Sequence, residues 1–176
     1  MNVTDFHERM TDFIKDVVKE ELLPVRPSKS DPNPSPKAAD VHMNRLPDSK
    51  SWQSKAPYIL VQVRGWKDYQ NEGQRPKAAC TVRLIFCLYC ENETEGTMYV
   101  ENLMQRVRER ILRYPIIGSQ YKLILEEGME AVPYDGDTAP YYGGEMESVW
   151  EIPTIRMESR PWLDNVAYPL NPSYSG

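Results

Sequence analysis

Cysteine and histidine are the side chains best suited to nucleophilic or metal chemistry, and this chain has few of them: Cys80, Cys87, Cys90, His7 and His42. Cys87 and Cys90 form a single C-x-x-C. A redox dithiol places that spacing at a helix start, and a structural zinc site needs two such pairs. Here the thiols fall in an apolar, β-branched and aromatic stretch that reads as a strand. Residues three apart on a strand point to opposite faces, so Cys87 and Cys90 do not share a metal. Both histidines lie far off in sequence. An odd thiol count, with no basic, apolar leader in Met1-Asn2-Val3-Thr4-Asp5, favours free thiols packed as small hydrophobes in a reducing cytosol.

Carboxylates are the second chemical resource. Glu126, Glu127, Glu130, Asp135, Asp137, Glu145, Glu147 and Glu151 crowd residues 121–151 against one lysine. Asp135-Gly136-Asp137 resembles a fragment of a calcium loop, but Ala139 and Pro140 interrupt the ligand spacing. Paired carboxylates also serve glycosidases. No G-x-S-x-G, P-loop or G-x-G-x-x-G accompanies them. The sequence therefore reads as no enzyme, with no metal and no cofactor.

Charge patterning gives more. The net charge is −5. Segment 24–56 has six basic and three acidic residues, and segment 121–151 has one basic and eight acidic ones. An acidic chain has no general affinity for nucleic acid, because counterion release needs clustered Lys and Arg. Segregated segments suit docking onto further copies or a charged partner. Arg26, Lys29 and Lys37 carry the basic segment. Arg106, Arg110 and Arg113 share one face of a candidate helix.

The elements that position these groups follow from periodicity. Residues 4–23 read as an amphipathic helix, with Phe6, Met10, Phe13, Ile14, Val17 and Val18 on one face and Pro24 as its stop. Residues 24–56 hold six of the fifteen prolines and show no hydrophobic period before Trp52. They read as an extended arm, long enough at ~3.1 Å per residue to reach about 100 Å and to order against a neighbouring subunit. Tyr58 to Arg64 alternates as a strand. Residues 65–77 read as a polar connection or hairpin tip, and Ala78 to Cys90 is the strongest strand. Glu91 to Gly96 reads as a turn and residues 97–114 as a second helix, with Val100, Leu103, Met104, Val107 and Ile111 as its core stripe. Tyr121 to Glu126 alternates again, and residues 128–144 look like loop. Met146, Ser148, Trp150 and Ile152 line one face of a last long strand, which makes Trp150 a core residue. Residues 158–176 carry Trp162, Tyr168 and Tyr174 without period and read as an irregular tail.

The organisation is one domain: a helix over 1–23, an arm over 24–56, an α+β core over 57–157 and a tail over 158–176. The fold class is α+β, a mainly antiparallel sheet with two amphipathic helices packed on it. The longest apolar run, Leu84 to Cys90, is far short of the roughly 20 residues of a membrane helix.

The stretch from Pro57 to Met157, through its segments at 56–63, 81–86, 99–108 and 140–153, resembles the tail terminator or tail completion proteins of long-tailed bacteriophages and phage-like particles. Ala56-Pro57-Tyr58-Ile59-Leu60-Val61-Gln62-Val63 is similar to the family's first strand, opened by a proline. Thr81-Val82-Arg83-Leu84-Ile85-Phe86 is similar to its second. Tyr99-Val100-Glu101-Asn102-Leu103-Met104-Gln105-Arg106-Val107-Arg108 resembles its helix. Pro140-Tyr141-Tyr142-Gly143-Gly144-Glu145-Met146 with Val149-Trp150-Glu151-Ile152-Pro153 resembles its closing strand. The arm and the tail depart from the common core.

The resemblance implies a structural virion protein assembled in the host cytoplasm. It would form a ring, of six subunits in the family, that caps the tail tube, stops its polymerisation and joins it to the head connector. Its partners would be its own copies, the tail tube protein, the connector or stopper protein and, in a contractile tail, the sheath, with DNA only as passing cargo. The alternatives are a head–tail joining (stopper) or other tail completion subunit and, more remotely, a small nucleic-acid-binding module. The candidate interface residues are Arg26, Lys29, Lys37, Arg106, Arg110 and Arg113, the acids Glu126, Glu127, Glu130, Asp135 and Asp137, and the aromatics Tyr141, Tyr142, Trp162, Tyr168 and Tyr174. Aromatic and arginine side chains are enriched at interfaces.

Overall fold

The computed structural model describes residues 3–136 and 138–155. Helix α1 (Val3–Val18) is followed by β1 (Asp40–Met43), a 3-10 helix (Ser49–Lys55), β2 (Tyr58–Tyr69), β3 (Lys77–Tyr89) and α2 (Glu93–Arg113). Then come β4 (Ile116–Ile117), β5 (Tyr121–Leu123), a second 3-10 helix (Leu125–Glu127), β6 (Met129–Pro133) and β7 (Tyr141–Ile152). The strands form one curled sheet in the order β1-β2-β3-β7-β5-β4, with β6 also paired to β7. Every pairing is antiparallel except β1 with β2, so the chain is α+β with two substantial helices.

Alternation along β3 decides which face the helices cover. Ala78, Cys80, Val82, Leu84, Phe86 and Leu88 are all buried and face the main core. On α1, Phe6, Met10 and Ile14 are fully buried against that face, and Phe6 stacks obliquely on Tyr121 at 4.8 Å and on Trp150 at 5.7 Å. His7 is buried beside them, with Nε2 2.7 Å from the carbonyl of Val61. On α2, Val100, Leu103, Met104, Val107 and Ile111 supply the matching stripe. Trp150 lies in this core, where its Nε1–H donates to Ser148 Oγ at 2.9 Å.

Element boundaries differ from the sequence reading for local reasons. Helix α1 ends at Val18, not beside Pro24, because Leu23 leaves the helical path to pair with Lys37. Helix α2 begins at Glu93, four residues before the expected start at 97 and inside the stretch read as a turn, because the Asn92 side chain accepts from the Glu95 N–H and caps the first turn. The hairpin β2–β3 runs through the polar stretch to Tyr69 and Lys77, with a bulge between Val63 and Gly65. The expected loop over 128–144 holds β6 and the start of β7.

The arm does not extend as a free 100 Å strand. Residues 24–36 form a surface loop closed at its base by the Leu23–Lys37 pairing. Residues 40–43 then add β1 in parallel to Tyr58–Val61. Leu46 and Ala56 bury with Tyr58, Cys87, Tyr89 and Tyr141 in a second, smaller core on the face opposite the helices. Backbone pairing and this apolar burial offset the entropy of ordering the segment, which proline has already lowered. The tail over 158–176 lies outside the described residues.

Candidate assembly interface

Among the described residues, the segment around Leu46 to Ala56 covers one end of the outer sheet face. There the Trp52 ring meets Tyr141 edge-on at 5.1 Å, and the Arg26 guanidinium stands 6.0 Å from the Tyr141 ring centre. Of the basic and aromatic candidates on the arm and β7, this contact brings Arg26 and Tyr141 together, within one subunit. Tyr141 is buried. Tyr142 is half-buried, its ring lying where a side chain on Gly96 would stand. Lys29 is exposed on the 24–36 loop, and Lys37 pairs with Asp40 at 2.5 Å.

Beyond that cover, the outer face is lined in successive rows by β2, β3, β7 and β6. One row runs Gln62, Arg83, Glu147 and Glu130. Arg83 is paired with Glu145, and the Tyr134 hydroxyl donates to the same carboxylate at 3.2 Å. Burial and then the Glu145 charge push the Tyr134 hydroxyl pKa up. Towards β6 the surface becomes acidic. Glu126 and Glu127 lie on the 3-10 helix that leads into β6, Glu130 on β6 itself and Asp135 just after it, and all four are exposed. Asp137, Trp162, Tyr168 and Tyr174 lie outside the described residues.

The helix-two arginines engage helix one of the same chain. Arg106 Nη1 is 2.7 Å from Glu21, and its Nε–H donates to the Val17 carbonyl at 3.4 Å. Arg110 reaches Asp16 at 3.9 Å and lies over the Tyr114 ring at 4.5 Å. Arg113 lines the same cleft between the helices. Arg110 and Arg106 thus face an acid of α1 and one just beyond its end, in a polar, water-exposed cleft.

The thiols are set up to stay inert. All three are buried, Cys80 in the main core, where burial pushes its pKa up to about 12, and Cys87 in the smaller one, where burial also raises it. Among the described residues no group of three or more His, Cys, Asp or Glu side chains could hold a metal ion. No helix there is long and apolar enough to cross a membrane.

Periodicity did not single out the outer edge of β2. There Arg64, Trp66 and Lys67 are exposed, and β1 covers the strand only as far as Val61. The signal was present as a basic, aromatic extension of a strand, masked by the bulge that breaks its alternation. A second missed cluster ties α1 to β5. Asp5 accepts from the Tyr121 hydroxyl at 2.5 Å and from Arg9 Nε at 3.0 Å. These two hydrogen bonds hold the Asp5 carboxyl below the usual carboxylate range. Burial, and then Asp5, push Tyr121 up to about 12. No protein-family model matches the chain, and no curated protein sequence is detectably similar to it.

Proposed function

We propose that this chain is a structural assembly protein, a tail terminator of a phage or phage-derived particle that forms a ring on the tail tube, halts its growth and offers a surface to the head connector. One observation carries the reading. The four segments that resemble the tail-terminator family fall on β2, β3, α2 and β7, and these elements pack around one core. A scattered likeness would have landed on unrelated loops.

Supporting this, the surface carries segregated charge, and the reactive groups are placed for packing. The acids Glu126, Glu127 and Glu130 belong to a surface that would dock to copies of the chain or repel DNA passing through the ring. The tube protein and the connector or stopper protein are the partners, with the sheath added in a contractile tail, and the site of action is the head-proximal end of the virion tail. The test is deletion of the gene in the producing strain, followed by tail-length measurement in negative-stain electron microscopy. Overlong, uneven tails support the reading. Tails of normal length without heads reassign the protein to head joining, and intact particles remove the assembly role.

A further inference from the structure

We infer that copies of this chain join edge to edge, the outer edge of β2 in one copy adding to the outer edge of β6 in the next. The inference supplies the contact that a ring requires and so rests on the assembly reading.

Among the described residues the sheet has two open edges at the ends of one row. The row Gln62, Arg83, Glu147 and Glu130 crosses four strands from β2 to β6. The pairing of β1 stops at Val61, so residues 62–69 of β2, which pair with β3 on their inner side, have no strand on their outer side among the described residues. On the far side β6 pairs, among the described residues, with β7 alone. The Tyr134 N–H donates to the Gly143 carbonyl, which fixes the alternation of this ladder. Glu130 and Val132 turn their backbone groups to β7, while Met129 and Ala131 present theirs outward. Outward backbone groups of this kind are what an added strand pairs with.

Charge selects which edges meet. Residues 62–77 carry Arg64, Lys67, Arg75 and Lys77 against Asp68 and Glu72, and residues 126–135 carry four carboxylates and no base. Two β6 edges would bring acid against acid, whereas β2 against β6 brings opposite charges together. Pro133 shortens the acidic edge, which limits indiscriminate pairing. Because the two edges lie at opposite ends of one sheet, the contact is head-to-tail, the type that closes into a ring when the rotation between subunits fits.

The test uses the purified full chain in analytical ultracentrifugation. One variant reverses the basic edge with Arg64→Glu and Lys67→Glu, a second reverses the acidic edge with Glu127→Lys and Glu130→Lys, and a third carries all four changes. Wild type is expected to self-associate, each one-edge variant to associate at least about tenfold more weakly, and the four-fold variant to recover because its edges are again opposite in sign. Ala131→Pro, which deletes only an outward N–H, is expected to weaken association while leaving the melting temperature near that of wild type. A wild-type chain that stays monomeric up to its solubility limit overturns the inference. So do one-edge variants that associate like wild type, or a four-fold variant that fails to recover. Tail lengths in the deletion strain decide the function independently, so a terminator without this contact and a self-associating chain without that function give different results.

Discussion

Gly143 and Gly144 are adjacent on β7, yet an added methyl group should affect them differently. A Cβ on Gly143 would stand 2.8 Å from the Phe86 carbonyl oxygen and 3.0 Å from the Tyr134 ring. That oxygen belongs to β3, whose ladder with β7 is the centre of the sheet, so it can yield only by distorting the pairing. Overpacking of this kind costs about 1–3 kcal/mol. Removing a glycine from the unfolded chain returns about 0.4–1 kcal/mol. Gly143→Ala should therefore be about 1–2 kcal/mol less stable than wild type. At about 2–4 °C per kcal/mol for a chain of this size, its melting midpoint should fall by about 2–8 °C. A Cβ on Gly144 meets chiefly the Met104 thioether, Sδ at 2.5 Å and Cε at 3.1 Å, with the Val132 carbonyl at 3.0 Å. Methionine is flexible enough to swing aside, so Gly144→Ala should stay within about 1 kcal/mol of wild type. Thermal melts and urea titrations of the two variants check the pair. The packing argument is refuted if Gly143→Ala is as stable as wild type, or if Gly144→Ala is the more damaging change.

Phe6→Ala empties a fully buried site between Tyr121 and Trp150 and should cost about 3–5 kcal/mol, read from the midpoint of a urea titration. The Asp5–Tyr121 contact should make stability depend on pH at both extremes. The folded Asp5 pKa is lowered, so its contribution is present above the ordinary carboxylate value and is lost as pH falls through the folded one. The folded Tyr121 pKa is raised to about 12, so its contribution is full below the ordinary phenol value near 10 and is lost as pH rises through about 12. Asp5→Asn should flatten the acid limb and Tyr121→Phe the alkaline limb in unfolding titrations followed by circular dichroism. Cys80 and Cys87 should resist iodoacetamide in the native protein and react at once in denaturant, as counted by intact mass.

Long periodic segments were legible and short edge elements were not. Phe6, Met10 and Ile14 announced α1, and the twelve-residue alternation of β7 was read from Met146 onward because Trp150 and Ile152 repeat at period two. The first residues of β7 were hidden by Gly143-Gly144, which offers no side chain to the pattern. Strands β1 and β6 are four and five residues long and bury little, so neither gives a period a reader can detect. The distal half of β2 is exposed, so its alternation is not written in hydrophobicity. The basic and acidic segments were visible as charge, but their engagement was not. Pairing of Arg106 with Glu21 depends on how the helices cross, which no local spacing encodes.

The central ladder has a consequence for synthesis. Arg83 of β3 is opposite Glu147 of β7, whereas β2 reaches β3 through a hairpin. Hairpins close in about 1–10 μs, so β2 and β3 can pair as soon as both have left the ribosome. Strand β7 follows roughly sixty residues later, about 3–12 s at the usual 5–20 residues per second. Throughout that interval Thr81 to Phe86, an apolar β-rich stretch, has one edge without its final neighbour. On a polysome translating many copies, this interval is when nascent chains are most exposed to pairing with each other; helix α1, already synthesised, and then helix α2, which emerges between the two strands, can cover the apolar face before β7 arrives, but neither occupies the open strand edge.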